Sequence, residues 1–116
     1  MGVEDFLMYY TYMLRCSDSS IYTGMTNNID KRVKEHLSRN GAKYTKSHQA
    51  EKLEAVWRCK NKSLACKLEY QIKQLTKKQK ENIIQGERLS KYLKGKIDSR
   101  RYYRIKELTN NGTEIK

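Results

Sequence analysis

Residues 8–25 place the tightest constraint on what this chain can fold into. Met8 to Cys16 reads MYYTYMLRC, Ser17 to Ser20 reads SDSS, and Ile21 to Met25 reads IYTGM. The two flanking runs are rich in Tyr, Thr and Met, types that fit a pleated, packed surface. The four polar residues between them suit a turn. The pattern predicts a β-hairpin with a four-residue loop. The first run predicts a strand covered on both faces. Tyr10 and Tyr12 share one of those faces and Tyr9 takes the other, because side chains alternate with a period of two.

Helical signals follow the hairpin. Thr26, Asn27 and Asn28 all offer N-caps, and Asp30 then falls in a first turn. Ile29, Val33 and Leu37 recur every four residues and form one apolar stripe, and Asn40-Gly41 is the expected stop. Gly41 to Lys52 is polar and basic and predicts a loop. Leu53 to Cys59 (LEAVWRC) alternates loosely and predicts a third strand. After Lys60 to Ser63, a second helix is expected on the stripe Leu64, Leu68, Ile72 and Leu75. Thr76 and Gln79 have the spacing of a capping box and predict a third helix running through Ile84. Gly86 is the expected end of the compact part. This organisation predicts a domain over residues 1–85 and a basic C-terminal extension over 86–116, partly helical or disordered. Leu89, Tyr92 and Leu93 are placed to ride one further helix there. Arg100-Arg101-Tyr102-Tyr103-Arg104 interleaves cations with aromatics, a pattern that suits phosphate contact and base stacking.

The core available to such a fold is small. Leu, Ile, Val and Phe number 22 of 116 residues, which with a net charge of +12 borders on the composition of disordered chains. Nine Tyr, four Met and one Trp restore the prediction of a folded, single-domain chain. With no Pro, a Pro-rich linker is excluded. No apolar run approaches the ~20 residues of a membrane span, and Phe6 to Tyr10 is too short for a signal-peptide core. Cys16, Cys59 and Cys66 are odd in number and lack C-x-x-C spacing. They predict reduced thiols in a cytoplasmic protein, acting as small apolar fillers. The positive charge runs through both halves of the chain, so a polyanion is the expected partner, nucleic acid ahead of a membrane surface.

Three positions exceed a purely structural account. Arg32 and His36 lie one turn apart beside the Ile29–Val33–Leu37 stripe. For His36 alone, a basic helix edge in water is the favoured reading. Glu69 lies four after Ala65 and three before Ile72, at the border of an apolar stripe. A carboxylate there is costly unless it is paired, to Arg32 or a nearby Lys, or binds a metal. A cluster of Tyr10, Tyr12 and Tyr22 in the hairpin is more often core with hydrogen bonds than a site, although phenols beside an arginine can bind phosphate and position water.

Taken together, these residues resemble the GIY-YIG nuclease superfamily. Tyr10-Thr11-Tyr12 stands where that family has Gly-Ile-Tyr, and Tyr22-Thr23-Gly24 where it has Tyr-Ile-Gly. Lys31 to His36 (KRVKEH) matches its first-helix motif, and Leu68-Glu69-Tyr70 carries its carboxylate. The stretches YTYML, IYTGMTNNIDKRVKEH, GAKYT and LEYQIKQLTKKQKENII look like the short stand-alone bacterial YhbQ-like subfamily. The likeness covers roughly residues 8–85. The first motif keeps only its Tyr.

The resemblance implies a small α/β fold with a three-stranded antiparallel sheet flanked by helices. It also implies an endonuclease that hydrolyses DNA phosphodiester bonds, with repair or recombination as its setting. RNA presents the same bond. Carried onto this chain, Tyr12 is the general base or water-positioning group. Tyr22 sits beside the scissile phosphate, and Gly24 allows close backbone approach. Arg32 neutralises phosphoryl oxygens, His36 orients or shuttles a proton, and Glu69 holds a single Mg²⁺ or Mn²⁺. Lys31, Lys43 and Lys46 are expected to contact substrate. The competing expectation is a non-catalytic nucleic-acid-binding module that keeps the fold. A third is a structural or protein-binding role in which the charge serves solubility.

Overall fold

The computed structural model describes residues 8–38 and 43–106. Four strands form one antiparallel sheet in the order β2-β1-β3-β4. The hairpin is β1 (Tyr9–Cys16) and β2 (Ile21–Thr26), joined by the predicted polar turn. Next come α1 (Ile29–Leu37), α2 (Lys43–His48) and β3 (Ala50–Cys59). Then follow α3 (Lys62–Lys73), α4 (Lys77–Ile84), the four-residue α5 (Ser90–Leu93), a 3-10 turn at Ser99–Arg101 and β4 (Tyr103–Arg104).

Local chemistry starts the helices where the sequence signals them. The Asn28 side chain accepts from the Lys31 N–H and starts α1, and the Asn61 side chain accepts from Leu64 and starts α3. Thr76 and Gln79 close both halves of the expected capping box at the head of α4. Each cap satisfies backbone donors that the helix itself leaves unpaired.

β1 is central, and its alternation splits the core in two. Met13 faces α3, α4 and α5, where Ala55, Trp57, Leu68, Ile72, Ile83 and Leu93 bury their side chains. Each of the Leu and Ile side chains there contributes roughly 1.5–3 kcal/mol by leaving water. Tyr12 and Leu14 face α1, where they pack with Val33, Leu53, Val56 and Ile105. Burial of Thr11, Tyr12, Met13 and Leu14 confirms a strand covered on both faces.

The expected three-stranded sheet is corrected to four strands. β4 pairs with β3 through Trp57↔Arg104 and Arg58↔Tyr103. A two-residue strand shows no periodicity, so sequence pattern cannot find it. Nor does the compact part end at Gly86. That residue takes φ +123°, a left-handed turn that glycine adopts readily, and the chain then folds back onto the sheet. Leu89, Leu93, Tyr102 and Ile105 are all buried in the core. The expected loop over Gly41 to Lys52 contains α2 and the start of β3, because a short polar helix has no apolar stripe to announce it. α1 ends at Leu37 with Ser38 as its C-cap, and the expected stop at Asn40-Gly41 lies outside the described residues.

Cys16 and Cys59 are buried as small fillers, whereas Cys66 is exposed; all three are free thiols. Among the described residues, no helix is long and apolar enough to cross a membrane.

Candidate active site

The hairpin and α1 bring five of the expected residues together. Tyr12 comes from the middle of β1, with Gly24 of β2 as its cross-strand partner. Tyr22 lies one pleat along β2 on the same face, and α1 lays Arg32 and His36 over that face. The Tyr12 hydroxyl is 2.8 Å from Nε2 of His36. The Tyr22 ring lies 6.3 Å from that of Tyr12 and 5.1 Å from the imidazole. The missing side chain of Gly24 makes this packing possible. A Cβ there would sit 2.6 Å from the Tyr12 hydroxyl and 2.9 Å from Cε2 of Tyr22.

His36 does not lie at a wet helix edge. It is 0% exposed, and Tyr12 is 1% exposed. Its i+3 spacing from Val33 puts it inside the border, because the Tyr12 and Tyr22 rings extend the apolar surface beyond the aliphatic stripe. Burial, followed by the Arg32 charge, pushes the imidazole down to about 4. Burial also pushes the Tyr12 phenol well above its ordinary value, and Tyr22 and Glu69 add to that rise. A hydrogen bond and the positive charge from Arg32 act in the opposite direction. At neutral pH the pair therefore rests as phenol and neutral imidazole.

Arg32 is partly exposed and holds Glu35 through a 3.0 Å ion pair one turn along. It thus has a foot in the buried pair and a face toward solvent. Lys31 is exposed on the outer side of α1. The side chains of Lys43 and Lys46 on α2 lie outside the described residues.

Glu69 stands on α3, which packs against β1 and β2. It pairs with Lys73 Nζ through Oε2 at 2.8 Å, so the nearby lysine rather than Arg32 is its partner. Its side chain is 22% exposed. The carboxylate is close enough to Tyr12 to oppose ionisation of the phenol. As a metal ligand, Glu69 offers one hard oxygen donor, and Oε1 has no hydrogen bond among the described residues. No group of three His, Cys, Asp or Glu converges among those residues. That donor set fits a Mg²⁺-like ion that keeps most of its waters and takes one carboxylate from protein. It does not fit a closed protein cage.

Two aromatic residues at the site escaped the sequence reading. Tyr44 of α2 stacks on Tyr22 at 5.9 Å, and His48 stacks on Tyr44 at 4.0 Å. Nδ1 of His48 is 2.7 Å from Asp18, which ties α2 to the hairpin turn. Hydrogen bonds from Ser20, then the one with His48, hold the Asp18 carboxyl well below the usual carboxylate range. The i,i+4 spacing of Tyr44 and His48 is the available signal, masked by the polar, basic composition of residues 41–52.

Residues 8–82 match the GIY-YIG catalytic domain. A UPF0213 protein of Fusobacterium nucleatum is 58% identical over 78 residues, covering 67% of this chain and 78% of that protein. One from Clostridium perfringens is 47% identical over 77 residues, covering 66% of this chain and 83% of its own. The solution NMR structure of the UPF0213 protein BH0048 from Bacillus halodurans is 40% identical, with a TM-score of 0.45. It covers 67% of this chain and 83% of that one. With its hairpin tyrosines, its first-helix Arg32 and His36 and its helical Glu69 all inside the matched residues, the chain belongs to the GIY-YIG family, among the UPF0213 proteins.

Proposed function

We propose that this protein is a divalent-metal-dependent endonuclease that hydrolyses DNA phosphodiester bonds. The observation that carries the proposal is the convergence of Tyr12, Tyr22, Arg32 and His36 at one junction of hairpin and helix, within electrostatic reach of Glu69. The net charge of +12 supplies the general attraction for a polyanion.

Hydrolysis concentrates negative charge on the phosphoryl oxygens and on the leaving alkoxide. Arg32 is the cation placed to meet the former. A phosphodiester seated against Arg32 also screens the charge that depresses His36, which makes the imidazole a better proton acceptor. Tyr12 can then accept a proton from an attacking water at its oxygen while passing its own proton to Nε2 of His36. This relay needs no free phenolate, which the buried position of Tyr12 opposes. Tyr22, less buried than Tyr12, borders the phosphate. Glu69 would hold the metal, which when bound supplies Lewis-acid stabilisation of the leaving oxygen.

The test is a cleavage assay on labelled single strand, duplex, flap and four-way junction with Mg²⁺, Mn²⁺ or EDTA. Wild type is expected to give metal-dependent products, with Glu69→Ala giving none and Arg32→Ala cleaving at least about 100-fold more slowly. Salt-sensitive binding without cleavage, equal in every variant, would establish a non-catalytic binding module instead.

A further inference from the structure

The run of arginines and tyrosines from Arg100 to Arg104 is divided by the sheet. Tyr102 is buried, with its hydroxyl donating to the Leu64 carbonyl at 2.7 Å. Arg104 donates to the carbonyls of Ile83 and Ile84 at the end of α4 and lies over the Trp57 ring. These two residues are accounted for by the fold. Tyr103 is not. It is 54% exposed, an unusual position for a large aromatic ring on a short edge strand. Its hydroxyl has no hydrogen bond among the described residues.

The register shows what surrounds Tyr103. Tyr103 pairs with Arg58, Arg58 pairs with Tyr10, and Tyr10 pairs with Thr26. Side chains alternate between faces, so Tyr10, Arg58 and Tyr103 stand in one row on the face that carries Tyr12. The row lies one pleat outboard of Tyr12. With strands about 4.8 Å apart, Tyr103 stands roughly 10 Å across the sheet and about 7 Å along it from Tyr12. The Arg58 guanidinium carbon is 5.0 Å from the Tyr103 ring centroid, and Arg58 has no ion-pair partner among the described residues. An exposed ring beside an uncompensated cation offers a π-face for a base and a positive charge for its phosphate.

We propose that Tyr103 and Arg58 form a stacking subsite for an unpaired nucleobase of a DNA strand. Arg58 lies inside the residues that match the catalytic domain, 8–82, and Tyr103, from the C-terminal segment outside them, completes the subsite. It rests on the proposed nuclease reading for the nature of the polymer and adds to it a preference for substrates with unpaired bases near the cut. A base inside a duplex has both faces covered by its neighbours and gains nothing from the ring. A base in a single strand or flap does.

The experiment measures binding of the full-length protein to a labelled oligo(dT) strand and to a blunt duplex, in EDTA so that nothing is cut. Tyr103→Ala is expected to weaken single-strand binding by about 5- to 100-fold. Duplex binding should change less than about twofold. Tyr103→Trp keeps a π-face at the edge strand and should restore single-strand binding, which separates stacking from any loss of folding in the Ala variant. Unchanged single-strand affinity in Tyr103→Ala, or an equal loss on both ligands, would overturn the proposal. The nuclease reading is decided separately by adding metal. Tyr103-dependent binding without cleavage keeps the subsite and removes the nuclease. Cleavage with no Tyr103 dependence does the reverse.

Discussion

The Tyr12 hydroxyl and Nε2 of His36 lie 2.8 Å apart, both in fully buried side chains, and burial moves their proton affinities in opposite directions. The phenol becomes harder to deprotonate and the imidazole harder to protonate. Each shift favours the neutral form, so the pair rests as phenol and neutral imidazole. The core around the two side chains, rather than either residue alone, therefore sets their charge states.

Acid sensitivity follows from the imidazole. Unfolded His36 takes up a proton near pH 6.5, whereas in the fold it does so only near 4. Between these values the unfolded chain binds more protons, so stability is full above about pH 6.5 and declines as pH falls toward 4. The loss from this one group is about 3 kcal/mol. Urea denaturation at pH 7 and pH 4.5 should show a steeper decline in wild type than in His36→Gln. Equal declines would assign the sensitivity to another group.

Gly24→Ala is expected to cost about 1–3 kcal/mol, because the new Cβ overlaps the Tyr12 hydroxyl and the Tyr22 ring. Displacing Tyr12 should also break its bond to His36. A denaturation midpoint reads the first effect. The imidazole resonance, followed by NMR through a pH titration, reads the second. A variant as stable as wild type with an unchanged His36 titration would show that the rings are not confined by Gly24.

Arg32→Ala should lower the cleavage rate by about 100-fold or more, the scale for removing a positioned cation from a transition state. It should also raise the His36 pKa above 4, because the Arg32 charge is one cause of its depression. The second readout does not depend on turnover. A lower rate with an unmoved His36 titration would place Arg32 on the substrate alone.

Glu69→Gln tests the carboxylate without disturbing the core. Its ion pair with Lys73 is partly solvated, so stability should change by less than about 1 kcal/mol. Metal-dependent cleavage should be lost. Isothermal titration of Mn²⁺ into wild type and variant checks whether the same carboxylate binds the ion.

Thr76→Ala removes one half of the capping box at the head of α4. The expected cost is about 1 kcal/mol, read as a lower thermal midpoint with cleavage unchanged. α4 places Ile83 in the core on the face of the sheet opposite Tyr12, so a change in rate would reveal coupling between that helix and the site.

The parts of the fold legible in the sequence are those written within a few neighbouring residues. The β1–β2 hairpin is announced by tyrosine-rich runs on either side of Ser17 to Ser20. Asn28, Asn61 and the Thr76–Gln79 pair announce three helix starts, and the stripes through Val33 and Leu68 announce the faces they bury. Tyr12, Tyr22, Arg32, His36 and Glu69 stand out as candidates through the resemblance of their motifs to the GIY-YIG family, not through helix or strand spacing.

What only tertiary structure decided depends on residues far apart in the chain. His36 is buried because β1 and β2 bring two tyrosine rings against α1, and no spacing within α1 states that. β4 exists because Trp57 and Arg58 offer an unpaired strand edge more than forty residues earlier. The same pairing sends Tyr102 and Arg104 to one face and Tyr103 to the other, separating structural residues from an exposed one within a single run. Periodicity encodes which side of an element is apolar. The identity of the surface that covers it is settled only when distant elements compete for the same core.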